Sequence, residues 1–306
     1  MRKDILIYKW LFFVFVLSSL ISAHAQERYI DSLFAELSVQ TLTFSDTLKL
    51  DIYSPKKDIR NKRPLLLLVH GGGFASGRRD NPLEKEFSIT MAKKGYVVAS
   101  MSYRLLRKDA GFGCNCPASE KVITFKTASE DVLNATNYLV KNSESIGIDI
   151  NKIILIGSSA GAEAVLNTVY MQYHRDFKNL PYQNLKYAGV ISFSGAILNA
   201  EYITNKTALP TLLFHGVHDK LVPIGSSPHH FCAENELGYL PLDGPKTIVE
   251  KLKKFNVPFQ FFEDSNGNHD WANLAYSYTN EIANFINKVV LNKENVQSTI
   301  KLVKRP

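Results

Sequence analysis

The chain has 306 residues, 45% of them hydrophobic, with no internal repeat and no long polar tract, so it is neither a solenoid nor a disordered tail and suits one large domain or two small ones. Its net charge is +7; Arg2, Lys3 and Lys9 against Asp4 account for two of these charges, leaving +5 beyond residue 25. The remaining Lys and Arg are interspersed with Asp and Glu, a pattern of ordinary solubility that gives no footprint for nucleic acid.

Residues 1–25 read as a secretory signal peptide. Arg2, Lys3 and Lys9 precede the apolar run Trp10 to Ser22, and Ala23-His24-Ala25 supplies a small-x-small cleavage site before Gln26. The run is shorter than the roughly 20 residues a membrane span needs, and no cysteine sits at the cleavage site, so a lipid anchor is not indicated. An uncleaved N-terminal anchor is the alternative. The expectation is a single domain over 26–306, secreted or periplasmic, with no membrane association once the signal is removed.

Asp31 to Val39 fits either a short helix or an edge segment. Gln40 to Phe44 and Thr47 to Tyr53 alternate polar and apolar residues around Ser45-Asp46, which predicts a half-exposed hairpin. A charged loop follows. Leu65 to Val69 is continuously apolar, as in strands covered on both faces, and runs into His70-Gly71-Gly72-Gly73-Phe74, where bare backbone can turn its N–H groups to a ligand. A helix is predicted over Leu83 to Lys94, ending at Gly95, and a strand over Tyr96 to Met101. Leu105 to Ala118 is irregular. Thr127-x-x-Glu130 reads as a capping box that starts a helix with Val132, Ala135, Leu139 and Val140 on one face.

The strand Ile153 to Ile156 then enters Gly157-x-Ser159-x-Gly161 and a helix of small and apolar residues. This strand–turn–helix is the pattern of a nucleophile elbow: a sharp turn lifts one side chain out of the sheet, and the flanking glycines let helix and strand approach. Further strands are predicted at Tyr187 to Ser194, Pro210 to Phe214 and Pro258 to Glu263. A helix is read over Thr247 to Phe255, and a last amphipathic helix over Ala275 to Val290 precedes a basic tail. Alternating strands and helices give an α/β fold with a mostly parallel central sheet flanked by helices.

His70 to Gly73, Ser159, Asp219 and His269 each fall just past the C-terminal end of a predicted parallel strand, the edge where open α/β sheets bind ligands. The order Ser, Asp, His is that of the α/β-hydrolase arrangement. With His70-Gly71-Gly72-Gly73-Phe74, Gly157-Ser158-Ser159-Ala160-Gly161, His215-Gly216-x-x-Asp219-x-x-Val222-Pro223 and Asn268-His269, the chain resembles the α/β-hydrolase serine carboxylesterases with an His-Gly-Gly-Gly oxyanion motif, over about Leu48 to Ile286. The Asp motif is of the type shared with acetyl- and feruloyl-esterase-like and prolyl-oligopeptidase-like hydrolases, and the elbow continues Gly161-Ala162 where many relatives have a second glycine. The resemblance implies Ser159 as nucleophile, His269 as base, Asp219 as the orienting acid, and oxyanion donors from the backbone of Gly72, Gly73 and Ala160. It calls for no cofactor.

Asp264 and Asp270 are rivals to Asp219, but both are close to His269 in sequence and poorly placed to reach it from a neighbouring strand. His215, His218, His229 and His230 raise the question of a metal; His215 belongs to the loop motif and the others read as surface or lid residues, so no metal is expected. Ser158 reads as structural, while Trp271 and Phe74 either line the pocket or pack beneath it. An exported chain meets an oxidising compartment, so one disulfide is expected, joining Cys232 to Cys114 or Cys116.

The functional expectation is an exported serine esterase acting on short-chain carboxylic esters. The long loops Leu105 to Ala118 and Gly225 to Asp243 serve as lids in place of a cap, which suits a short acyl chain on a bulky soluble alcohol, with an acylated glycan as the suggested substrate. An exported peptidase and a non-catalytic binding module on the same fold are the alternatives; the chain has no room for a gating propeller, and all three triad residues are present.

Overall fold

The computed structural model describes residues 26–182 and 184–302; the signal peptide read over 1–25 lies outside them. Eleven strands are found among the described residues: β1 (Leu37–Ser45), β2 (Leu48–Pro55), β3 (Arg63–Val69), β4 (Val97–Met101), β5 (Ile148–Ser158), β6 (Gly189–Phe193), β7 (Thr211–Gly216), β8 (Ser226–Pro228), β9 (Pro241–Asp243), β10 (Phe259–Asp264) and β11 (Gln297–Leu302). Nine of them form one sheet in the order β1-β2-β4-β3-β5-β6-β7-β10-β11, and β8 pairs with β9 separately. Only the pairings of β2 with β1 and β4 are antiparallel in the large sheet; every other pairing is parallel.

The unbroken apolar run of β3 has a direct structural cause. Leu65, Leu67 and Val69 point into one core, which they share with Phe125 and Val132 of the helix Ala118–Lys141, Val165 of Ala160–Tyr170 and Ile248 of Pro245–Lys254. Leu66 and Leu68 point into the other, which they share with Phe87 and Met91 of the helix Pro82–Lys93 and with Trp271 and Ile286. A strand covered on both faces cannot alternate with polar residues. Among the described residues no helix is long and apolar enough to cross a membrane.

Three expectations change. Thr127 and Glu130 lie inside the helix Ala118–Lys141, which begins after Pro117, more than two turns earlier. Glu130 there accepts from Arg104 Nη2 at 2.6 Å, while the buried Asp131 takes Arg104 Nε at 2.8 Å and the Arg104 backbone N–H at 2.8 Å. The capping spacing therefore belonged to an ion-pair cluster. The helix predicted over Ala275 to Val290 is divided into a tight turn at Ala275–Ser277, a helix Thr279–Phe285 and a wider-wound stretch Ile286–Leu291, and a short helical turn at Trp271–Leu274 precedes them. The break falls at Tyr278, whose ring packs on Phe214, Phe262 and Trp271. Residues read as a basic tail include β11, a half-exposed edge strand in parallel register with β10. Asp31 to Val39 settles as an edge segment, with β1 starting at Leu37.

The β6 ring of Phe193 is fully buried among Phe87, Phe214 and Tyr276, with centroids 6.3, 5.7 and 5.2 Å away. Phe193→Ala should cost about 3–5 kcal/mol in urea unfolding, as expected for an emptied aromatic site. A loss below about 1 kcal/mol would mean the ring is not packed this way.

Candidate active site

The elbow is built by close backbone approach. A Cβ on Gly157 would meet Gly161 O at 2.2 Å, and one on Gly161 would meet Val69 O at 2.1 Å, so neither position accepts a side chain. Ser159 sits between them at φ 49° and ψ −121°, a strained conformation for a residue with a Cβ. Its N–H donates to Phe193 O at 2.8 Å, which ties the turn to β6, and its own carbonyl accepts from Glu163 N at 2.9 Å, which starts the helix. Ser158 turns the other way and is buried, its Oγ donating to Ala272 O at 2.6 Å.

Ser159 Oγ lies 2.8 Å from His269 Nε2, and His269 Nδ1 lies 2.7 Å from Asp219 Oδ2. The other oxygen of Asp219 accepts from Leu221 N at 2.8 Å and Val222 N at 2.9 Å, so a turn after β7 holds the carboxylate in place. His215 approaches the same Oδ2 at 3.3 Å and Val222 O at 3.0 Å. Burial by itself would push Asp219 up, but the hydrogen bonds and positive ends of His215 and His269 outweigh it and hold the carboxyl well below its ordinary range. It is therefore an anion at any working pH, the state that orients an imidazole through its Nδ1–H.

The glycine loop after β3 meets the same place. Gly72, at φ +118°, accepts from Ala75 N and Ser76 N at 3.0 Å each, closing a tight turn. The N–H groups of Gly72, Gly73 and Ala160 find no acceptor among the described residues, and all three residues line a cavity of about 700 Å³ with Ser159 and His269. His70 is buried behind the loop, stacked on Tyr103 at 4.5 Å and bound to Gly71 O at 2.7 Å; burial lowers its pKa to about 4, so it stays neutral.

Asp264 serves the loop backbone and indole, accepting from Asn266 N and Trp271 Nε1 at 2.9 Å each, and Asp270 accepts from Asn268 N at 3.2 Å. Trp271 and Phe74 are fully buried and pack in the two cores. The four histidines diverge: His218 is exposed, His215 faces Asp219, and His229, read as a surface or lid residue, is buried 3.2 Å from Glu163. Among the described residues the one candidate metal cluster is Cys114, Cys232 and Glu236, whose two sulfurs are joined as a disulfide. Cys116 is the buried free thiol. That disulfide links the two predicted lid loops, which contribute Phe112, His229 and His230 to the cavity wall.

Sequence reasoning missed two acidic residues on that wall. Glu84 is buried and accepts from Tyr276 Oη at 2.9 Å. Glu163 is the one charge in an eleven-residue helix that is buried throughout, and that isolation is a signal the sequence did carry.

A family model described as BD-FAE matches residues 50–198. Gut esterase 1 of Caenorhabditis elegans is 32% identical over 131 residues, 43% of this chain and 22% of that protein. Ethyl acetate hydrolase of Pseudomonas putida is 29% identical over 145 residues, 47% of this chain and 40% of that protein. The chain thus spans well under half the length of these curated relatives. Among solved structures, Thermogutta terrifontis esterase 2 phosphorylated by paraoxon matches with a TM-score of 0.59 at 19% identity, over 86% of this chain and 98% of that one. An α/β hydrolase from a Medee basin deep-sea metagenome library, MGS-M1, matches with a TM-score of 0.53 at 19% identity, over 82% and 100%. The fold is that of the α/β hydrolases.

Because Val69 O occupies the space a side chain would need, Gly161→Ala should destabilise the protein by about 1–3 kcal/mol or more and displace Ser159. Calorimetry and a crystal structure of the variant would check this; an unchanged Tm would show that the elbow is looser than described.

Proposed function

We propose that this chain is an exported serine hydrolase of short-chain carboxylic esters, of the acetyl- and feruloyl-esterase-like kind, and that its alcohol half is an extracellular sugar or glycan. The observation that carries the reading is the continuous chain Ser159–His269–Asp219, at 2.8 and 2.7 Å, beside three unengaged amides in an open cavity. The matches to proteins named as esterases support the reaction class.

In this reading Ser159 Oγ attacks the ester carbonyl while His269 Nε2 takes its proton, since a hydroxyl is a poor nucleophile until a base relieves it. Asp219 fixes the tautomer of His269 and stabilises the imidazolium that forms. The amides of Gly72, Gly73 and Ala160 receive the oxyanion, each worth roughly 3–4 kcal/mol of barrier. His269 then protonates the leaving alcohol, and water drawn through the same imidazole releases the acid from Ser159. No metal or cofactor enters these steps. The lid loops are short of helix and leave the cavity open, which favours a small acyl group over a lipid chain. The Cys114–Cys232 disulfide is in keeping with export.

Ser159→Ala and His269→Ala should each lower kcat on p-nitrophenyl acetate by about 10⁴-fold or more, and Asp219→Asn somewhat less. Retention of a tenth of the activity by Ser159→Ala would exclude it as nucleophile, and faster cleavage of a peptide anilide would favour a peptidase.

Across p-nitrophenyl esters of two to twelve carbons, kcat/KM should peak at acetyl to butyryl and fall at least about tenfold by decanoyl, or about 1.4 kcal/mol of transition-state stabilisation. A maximum at eight carbons or beyond would point to a lipase-like groove.

The mature protein recovered outside the cytoplasm should begin at Gln26 by mass spectrometry. An intact Met1 on a membrane-bound form would favour the anchor instead.

A further inference from the structure

One side of the cavity wall is made by a pair of polar groups with no role in the proton relay. Glu163 stands one helical turn beyond Ser159, its side chain 2% exposed, and His229 comes from the lid loop after β8, its side chain 1% exposed. Both line the cavity that contains Ser159. Glu163 Oε1 and His229 Nε2 approach to 3.2 Å, yet Glu163 Oε1 and His229 Nδ1 each lack a hydrogen-bond partner among the described residues. Buried polar atoms are nearly always satisfied, and these two belong to side chains that line the reaction cavity, so a partner that arrives with the ligand and is reached by a small side-chain shift is the fitting complement.

The surroundings set the chemistry of that partner. Phe112 lies edge-on to His229 at 5.1 Å and Phe125 at 6.0 Å, so the pair is walled by aromatic carbon. Lys121 is buried nearby, but its ammonium donates to Gly238 O at 2.8 Å. Burial pushes Glu163 up to about 8, against the opposing pull of His269 and Lys121, and drives His229 well below its ordinary value. At neutral pH the pair is uncharged and offers both donor and acceptor capacity, which matches a neutral hydroxyl better than a carboxylate or an ammonium.

We infer that Glu163 and His229 form a hydroxyl-reading subsite, so that the preferred ester carries a free hydroxyl group in the half that enters this side of the cavity. The inference rests on the ester-hydrolase reading above. An ester without the hydroxyl leaves both polar groups unpaired in its complex, and sites of this kind discriminate strongly against the analogue that lacks the group.

Two matched pairs test it and tell which half carries the hydroxyl. The acyl pair is p-nitrophenyl butyrate against p-nitrophenyl 3-hydroxybutyrate; the alcohol pair is propyl acetate against glycerol 1-acetate, followed by acid release. The expected result is a preference of at least about tenfold in kcat/KM for the hydroxylated member of one pair. That ratio should fall below about threefold in Glu163→Leu and in His229→Phe, and be partly retained in Glu163→Gln, whose amide still donates and accepts. General damage to the fold would lower both members of a pair alike and leave the ratio in place. Should the Glu163→Leu chain not fold, the ratio in His229→Phe decides. Equal kcat/KM within both pairs, or a preference that survives both substitutions, overturns the subsite while leaving the esterase standing. Hydrolysis of none of the four esters, or hydrolysis that survives Ser159→Ala, overturns the esterase reading and the subsite with it.

Discussion

The constraint on which the architecture depends is the contact between the elbow helix and the end of β3. Val69 O lies 2.1 Å from where a Cβ on Gly161 would be, and Gly161 O lies 2.2 Å from where one on Gly157 would be. This brings the N-terminus of the helix Ala160–Tyr170 down onto two adjacent parallel strands, so the glycine loop leaving β3 and the turn leaving β5 share one edge of the sheet. The amides of Gly72, Gly73 and Ala160 then border a common space without any interaction dedicated to gathering them. The same logic works further along the sheet. β7 and β10 are paired in register, Glu263 opposite His215 and Asp264 opposite Gly216, so the loops bearing Asp219 and His269 leave at the same level.

What covers this edge is set differently, by two long loops with little regular structure. Cys114 and Cys232, 118 residues apart in sequence, are joined, and the loops also bond directly through Gly238 N to Cys114 O and Ala118 N to Leu237 O, each at 2.8 Å. A Cβ on Gly238 would meet Cys114 O at 2.6 Å, so the two backbones touch. A disulfide that closes so long a loop removes much of the freedom of the unfolded chain. It also holds Phe112, His229 and His230 as a fixed wall where unstapled loops would fray.

Buried ionisable groups in this protein fall into two kinds. Asp131 with Arg104, and Glu84 with Tyr276, are closed pairs in which each buried carboxyl has a side-chain donor, although burial still pushes both carboxyls above their ordinary range. Asp219 is closed as well, held by two backbone amides and two imidazoles. Glu163 and His229 are open, each with a buried polar atom unmatched by protein. The difference marks where the cavity is prepared for something else.

The order of strands and helices, the two-faced burial of β3 and the positions of Ser159, Asp219 and His269 at strand ends were legible in the sequence, because they follow from local rules. An apolar run of strand length, a glycine pair that permits a sharp turn and polar residues just past each strand are properties of neighbouring residues. The start of the helix at Pro117 was not legible, because Thr127 and Glu130 imitate a cap while serving Arg104, 23 and 26 residues away in the chain. β11 was hidden for a related reason: an edge strand exposes half its side chains, and only β10 supplies the hydrogen bonds that make Gln297–Leu302 a strand. The choice of Cys114 over Cys116, and the burial of His229 against Glu163, were decided by the tertiary structure alone. The first depends on how two loops more than a hundred residues apart lie across each other, the second on how one of those loops lies over the elbow helix. Sequence spacing sets how far such loops reach, and packing sets which of their atoms meet.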